Sequence, residues 1–237
     1  MMRREVTIDA RFKGPPASGN GGYSCGVLAE AIDGVATVRL RVPPPLDTPM
    51  TLEGDGASGR LSHGDLLIGE AEGDVLDLSI PEPPTLEQGR EAVPRYRGFE
   101  GHPFPECFVC GPDRRPGDGL RLFAGQVAGR ELVASPWVPD ETLAQGSGSV
   151  DQRSVWAALD CPSYFAIETA PLALLASLTA DIARVPAVGE QLIAYGWHRH
   201  SEGRKHYCGS GLATPEGEIV ASAAALWIEP RAGAASH

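Results

Sequence analysis

Lysine is almost missing: in 237 residues only Lys13 and Lys205 occur, so arginine carries nearly all the positive charge. Basic residues are also the minority, 20 against 31 acidic, and the formal net charge of −11 argues against bulk attraction to nucleic acid or an anionic membrane. Any anionic ligand would need a local cationic mouth. Long apolar runs are absent too. The longest, from Ala170 to Leu178, falls well short of the roughly 18–20 residues that span a bilayer. The first nine residues, Met1 to Asp9, are basic without an apolar stretch behind them, which argues against a secretion signal. Five cysteines (25, 107, 110, 161 and 208) are odd in number and dispersed, a poor basis for a disulfide scaffold. Cytoplasmic residence is the expectation. No Gly-x-Ser-x-Gly elbow exists, which argues against an α/β-hydrolase-type serine enzyme.

What the chain does have is an ordinary globular composition, 42% hydrophobic and 22% charged, enough for a substantial core. It also has an approximate internal repeat. In the first half, Gly19-Asn20-Gly21-Gly22 leads into a helix-like run, Tyr23 to Ile32, and then the strand-like Val35 to Val42, stopped by Pro43-Pro44-Pro45. Met50 to Glu53 and Asp65 to Ile80 follow, the latter with an expected turn at Glu72-Gly73-Asp74. The second half offers a helix-like Val150 to Ala166, strand-like Leu174 to Val185 and Glu190 to His200, and a hairpin, Tyr207 to Ile228, turning at Pro215–Glu218. The two expected turns align at an offset of 144 residues, Gly73 on Gly217. Period-two alternation marks strands: Thr37, Arg39 and Arg41 against Val38, Leu40 and Val42. Helices followed by antiparallel strands make an α+β grammar. The boundaries expected are 1–82 for the first half, a Pro-rich linker at 83–105, with no helix or central strand, and 106–237 for the second.

Three segments carry a family resemblance: Phe12 through Tyr23, Cys107-Phe-Val-Cys-Gly-Pro112 with Gly117-Asp-Gly-Leu120, and Val155-Trp-Ala-Ala-Leu-Asp-Cys-Pro162. Together they resemble the hotdog-fold thioesterase superfamily in its tandem, double-hotdog form, similar to bacterial acyl-CoA thioesterase II. The resemblance implies that each half wraps a sheet around a long helix. It implies an acyl-thioester site where the halves meet, with acyl-CoA as partner and no cofactor. It also places a catalytic acid at Asp160. The family's Thr and Gln partners have no counterpart, since Arg199 or His200 and Ala225 fall at those positions. A binding protein that keeps the pocket without the chemistry is the alternative. Hotdog hydratases carry a His five residues after their Asp, and here that residue is Phe165.

The residues themselves support part of this. Asp160 closes an apolar helical run, where a charge is costly without partners or a task, and could act as a general base; capping near a helix end is the other reading. Asn20, Gly21 and Gly22 precede a helix whose first N–H groups could stabilise an oxyanion, or they form a plain capped turn. Candidate substrate contacts are Tyr23, Gln152, Trp156 and the basic patch His198, Arg199, His200, Arg204 and Lys205, whose other reading is a solvated hairpin; Arg114-Arg115 is a further cationic candidate. Cys107-x-x-Cys110 lacks a second such pair, so no metal is expected, and Cys161 is disfavoured as a nucleophile beside Asp160. Gly54 to Gly59 matches a dinucleotide-binding pattern but is expected to be a turn. Exposed edge strands would be compatible with a homodimer.

Overall fold

The computed structural model describes residues 1–146, 148–168 and 172–231. Two residues of the longest apolar run, Ala170 and Pro171, lie outside them. The first half contributes β1 (Met2–Val6), α1 (Gly21–Ala29), β2 (Ala36–Leu40), β3 (Met50–Gly54), β4 (Ser58–His63) and β5 (Leu66–Gly73). A connecting region follows with α2 (Leu86–Ala92), β6 (Gly125–Gln126), β7 (Val133–Trp137) and the small pair β8 (Ala144–Gln145) and β9 (Ser149–Val150). The second half then adds α3 (Gln152–Phe165), β10 (Leu174–Ile182), β11 (Leu192–Glu202), β12 (Lys205–Ala213) and β13 (Ile219–Ile228).

Eleven strands form one antiparallel sheet in the order β1-β3-β4-β5-β2-β10-β13-β12-β11-β7-β6. Outward from the β2–β10 seam, the first half reads β2-β5-β4-β3-β1 and the second β10-β13-β12-β11-β7. The repeat is therefore present in topology. Its alignment in the sequence was wrong, however. Gly73 ends β5 and turns nothing; the first-half hairpin turns at Gly64, and residues 74–80 form no strand. Gly64 and Gly217 are the equivalent turn glycines, and both need the left-handed φ that glycine adopts freely (+56° and +89°).

At the seam Ala36, Val38, Leu178 and Ala180 pair in register and are buried. Thr37 and Thr179 face each other with hydroxyls 2.5 Å apart, and Thr37 donates onward to Asp74 (2.6 Å). β2 stops at Leu40, two residues sooner than expected, as Pro43 and Pro44 end ladder pairing.

Both central helices lie in the core. Eight of the nine α1 residues are buried, so this helix is apolar on all sides. It crosses α3 at close range because of its glycines. A Cβ on Gly22 would sit 2.5 Å from Asp160 Cβ, and one on Gly26 would sit 2.7 Å from Arg153 Cα. α3 contains Pro162, and its carbonyls there take side-chain donors: Ser210 Oγ on Leu159 O and Ser163 Oγ on Asp160 O, each at 2.6 Å.

The Pro-rich segment, expected to hold no helix, contains one. No proline lies between Leu86 and Ala92, and a capping box of Thr85 with Gln88 starts α2 there. This helix covers a second apolar cluster, with Ile193, Tyr195 and Trp197, on the sheet face away from α3. Gly54 to Gly59 is a turn, with Asp55 Oδ1 accepting from the Ala57 and Ser58 N–H groups. All five cysteines are free and buried. Among the described residues no helix is long and apolar enough to cross a membrane.

Candidate active site

Asp160 is the only buried carboxylate in the core among the described residues, 1% exposed at the point where α3 meets the start of α1. Asn20 caps α1, its Oδ1 accepting from the Tyr23 N–H (2.9 Å). That leaves the Asn20 Nδ2 free to donate to Asp160 Oδ2 at 2.7 Å, and the Gly22 N–H donates to the same oxygen at 3.0 Å. Asp160 Oδ1 has no partner. Burial pushes this carboxyl up to about 7, opposed by the Gly22 and Asn20 donors.

Asp160 lines a cavity of about 330 Å³ between the halves. Leu40 and Val42 close it from the first half, Leu175 and Trp227 from the second, and Phe104 from the connecting region. Arg41 and Arg204 also line it. Gly21 is on the wall too, against Leu175, and its N–H has no hydrogen-bond partner among the described residues. The site thus combines a clamped carboxylate with one unsatisfied oxygen, an unspent helix-start N–H and a largely apolar chamber. Such a set can take a proton from water and stabilise a developing oxyanion.

Asn20, Gly21, Gly22 and Asp160 are therefore brought together as the sequence suggested, with one change of duty. The Gly22 N–H faces the carboxylate, which leaves Gly21 as the free donor. The expected binding residues are mostly elsewhere. Only Arg204 lines the cavity, its Nη1 donating to Glu229 O. Tyr23 stacks on Phe12 at 3.9 Å and meets Phe108 edge-on, in the core. Trp156 is buried against Gly26, and Gln152 is exposed at the first turn of α3.

Arg199 and Lys205 line a separate outer groove with Arg39, while His200 stacks on Tyr207 in solvent. His198 bonds Ser201 Oγ at 2.8 Å, in a chain that runs through His206 to Glu229. Arg114 donates to Glu106 O, Asp118 and Arg11 O, bracing its own loop and tying it to the N-terminal segment. Ala225 is buried on β13 and is not part of the cavity wall.

The wall residues the sequence reading missed are Cys107, Cys110, His102 and Tyr164, which lie beside Asp160 and Cys161. The Cys-x-x-Cys spacing was visible; its meeting with α3 was not.

Solved structures share this fold over nearly the whole chain. A protein named as a candidate thioesterase II from Thermobifida fusca YX superposes with a TM-score of 0.62 at 14% identity, over 97% of this chain and 92% of that one. The tesB protein MAP1729c of Mycobacterium avium subsp. paratuberculosis matches at 0.61 and 14%, over 96% and 92%. A conserved protein of unknown function with a hot dog fold from Alicyclobacillus acidocaldarius gives 0.62 and 11%, over 96% and 94%. The chain has the hotdog fold. The likeness extends over nearly the full length of each compared chain. No protein-family model and no curated protein sequence matches the chain.

Proposed function

We propose that the chain is a tandem pair of hotdog halves, 1–82 and 106–237 joined through 83–105, that hydrolyses an acyl-CoA or related thioester in the cavity between them. One observation carries this reading. A fully buried carboxylate, in the wall of an apolar chamber that Gly21 also lines, has one oxygen held by Asn20 and Gly22 and the other unpartnered.

In the proposed reaction Asp160 Oδ1 takes a proton from water as the water oxygen attacks the thioester carbonyl carbon. The carbonyl oxygen becomes an oxyanion facing the Gly21 N–H and the positive end of α1. Collapse breaks the C–S bond, and the thiolate leaves with the proton returned from Asp160. The products are a carboxylic acid and a free thiol. Leu40, Val42 and Leu175 supply the apolar surface for the acyl chain. Arg41 and Arg204 are the cations available to an anionic carrier at the cavity, which a chain of net charge −11 must provide locally. Five free thiols fit a reducing compartment such as the cytoplasm.

A second reading, a non-catalytic acyl-binding protein, is favoured by a different observation. Both Asn20 Nδ2 and the Gly22 N–H are already engaged by Asp160, so a single main-chain donor remains for an oxyanion. A hydrolysis assay over short, medium and long acyl-CoAs, with Asp160→Asn beside the parent, separates the two. Loss of a general base costs about 10²–10⁴-fold in rate. Equal rates in parent and variant would remove Asp160 from the chemistry, and binding of acyl-CoA without turnover would establish the second reading.

A further inference from the structure

Beside Asp160 is a group of three cysteines with no task in the reaction above. The sulfurs of Cys107, Cys110 and Cys161 all lie within 4.8 Å of one another, with Cys107 and Cys161 at 3.9 Å. All three are buried and all three line the cavity. Tetrahedral zinc–sulfur bonds of about 2.3 Å set ligand sulfurs about 3.8 Å apart, so these three need only a small contraction to occupy three corners. Two of them come from a Cys-x-x-Cys turn, the usual spacing of a zinc-binding pair. That turn is tight at Gly111, where a Cβ would meet Pro105 O at 2.4 Å and Cys107 N at 2.6 Å. The third ligand comes from α3.

Thiolates in an apolar wall need N–H donors, and those are in place. The Asn20 amide nitrogen is 3.8 Å from Cys107 Sγ and 3.9 Å from Cys161 Sγ. His102 Nε2 is 3.3 Å from Cys110 Sγ. The Phe104 N–H donates to His102 Nδ1 (2.9 Å), which puts the ring proton on Nε2 and makes this histidine a donor to sulfur rather than a ligand. Apolar packing accounts for buried thiols one at a time. It does not account for three converging sulfurs with side-chain N–H groups turned toward them.

We propose that Cys107, Cys110 and Cys161 bind one zinc ion as thiolates, with its fourth position open to the cavity. Among the described residues no fourth His, Cys, Asp or Glu completes the group, which leaves that corner to water or to a ligand in the chamber. Thiolate donors select a soft ion and exclude magnesium and calcium. Binding releases three thiol protons and involves no change of oxidation state, so affinity rises with pH. The ion ties the connecting region to α3 one residue from Asp160. The inference stands apart from thioester hydrolysis, and its test reads metal rather than turnover.

The experiment uses the full chain, freed of metal by a chelator and titrated with zinc(II) and, in parallel, cobalt(II). The expected result is one ion per chain by elemental analysis. Cobalt should give a sulfur-to-metal charge-transfer band and the visible bands of a tetrahedral site, both weakened in Cys110→Ser and Cys161→Ser and unchanged in Cys25→Ser and Cys208→Ser. His102→Ala should lower zinc affinity by about 10–100-fold, as loss of an outer partner does. Should the ligand variants fail to fold, alkylation of the unaltered chain decides the matter. Zinc should protect residues 107, 110 and 161 together and leave 25 and 208 as they were. No uptake of zinc, a copper-only site, a cobalt spectrum without sulfur charge transfer, or protection unchanged by zinc would each overturn the proposal.

Discussion

Asp160 is a buried carboxylate that the protein satisfies only by half. Its one clamped oxygen satisfies the Asn20 amide and the Gly22 N–H, while its other oxygen gains nothing from the protein. Two substitutions should therefore separate. Asp160→Asn keeps an acceptor for both donors and removes the buried carboxylate, so thermal stability should hold or rise while any turnover is lost. Asp160→Ala strands both donors in the core and should cost about 1–3 kcal/mol. Denaturant melts of the two variants check this, and an Asn variant less stable than the Ala variant would refute it. Asp160 was legible in the sequence because a charge closing the apolar run Val155–Leu159 calls for a reason. Tyr23 and Trp156 were misjudged for a related cause: sequence marks them as large and buried but does not say whether they face the cavity or the core. The basic patch was misjudged because most of it sits on the far end of the β11–β12 hairpin, and only Arg204 turns back to the chamber.

Among the elements, reading the strands by pattern found β2, β10, β11 and β13 to within a few residues, even where, as at residues 192–197 of β11, both faces are buried. It failed at residues 74–80, where alternation continues but no neighbouring strand is available to pair. It failed again at α2, whose capping box was present in the sequence but overshadowed by surrounding prolines. Loops between strands carry their own ties. Arg184, just past β10, reaches Glu190 before β11 at 2.7 Å and Glu218 before β13 at 2.9 Å. Arg184 and the Ala187 N–H hold the Glu190 carboxyl below its ordinary range. A depressed carboxyl favours the folded state when ionised, so its contribution is fully present above the unfolded value of about 4.3 and lost as pH falls through the folded value. The pair is partly exposed, so Glu190→Gln should cost no more than about 1 kcal/mol at pH 7. The stability difference between parent and variant should narrow below pH 4; a difference independent of pH would show that Glu190 acts by packing alone.

For the whole molecule, sequence similarity between the halves is too faint to set their register, yet the mirrored strand order restores it. The reason is that topology depends on which faces are apolar, whereas turn residues drift freely once a glycine is available nearby. What joins the halves is not the connecting segment but the seam and the crossing of α1 on α3. β2 pairs with β10, Thr37 meets Thr179, and Gly22 and Gly26 let α1 lie directly on α3 within one apolar cluster that runs through both halves. α1 is buried on nearly every side, which its own five strands could not achieve, so residues 1–82 alone should stay unfolded. The link after β5, by contrast, carries little: Val75 is 80% exposed and lies outside any strand. A protease site inserted after Val75 and cut in the folded protein should leave two fragments that co-elute in size exclusion and melt in a single transition, because the buried seam survives the cut. The fragments should reassociate after joint refolding and precipitate or stay unfolded when refolded apart. Separation of the cut fragments under native conditions would mean that the halves are independent units held by the chain, and the cavity between them would then lose its physical basis.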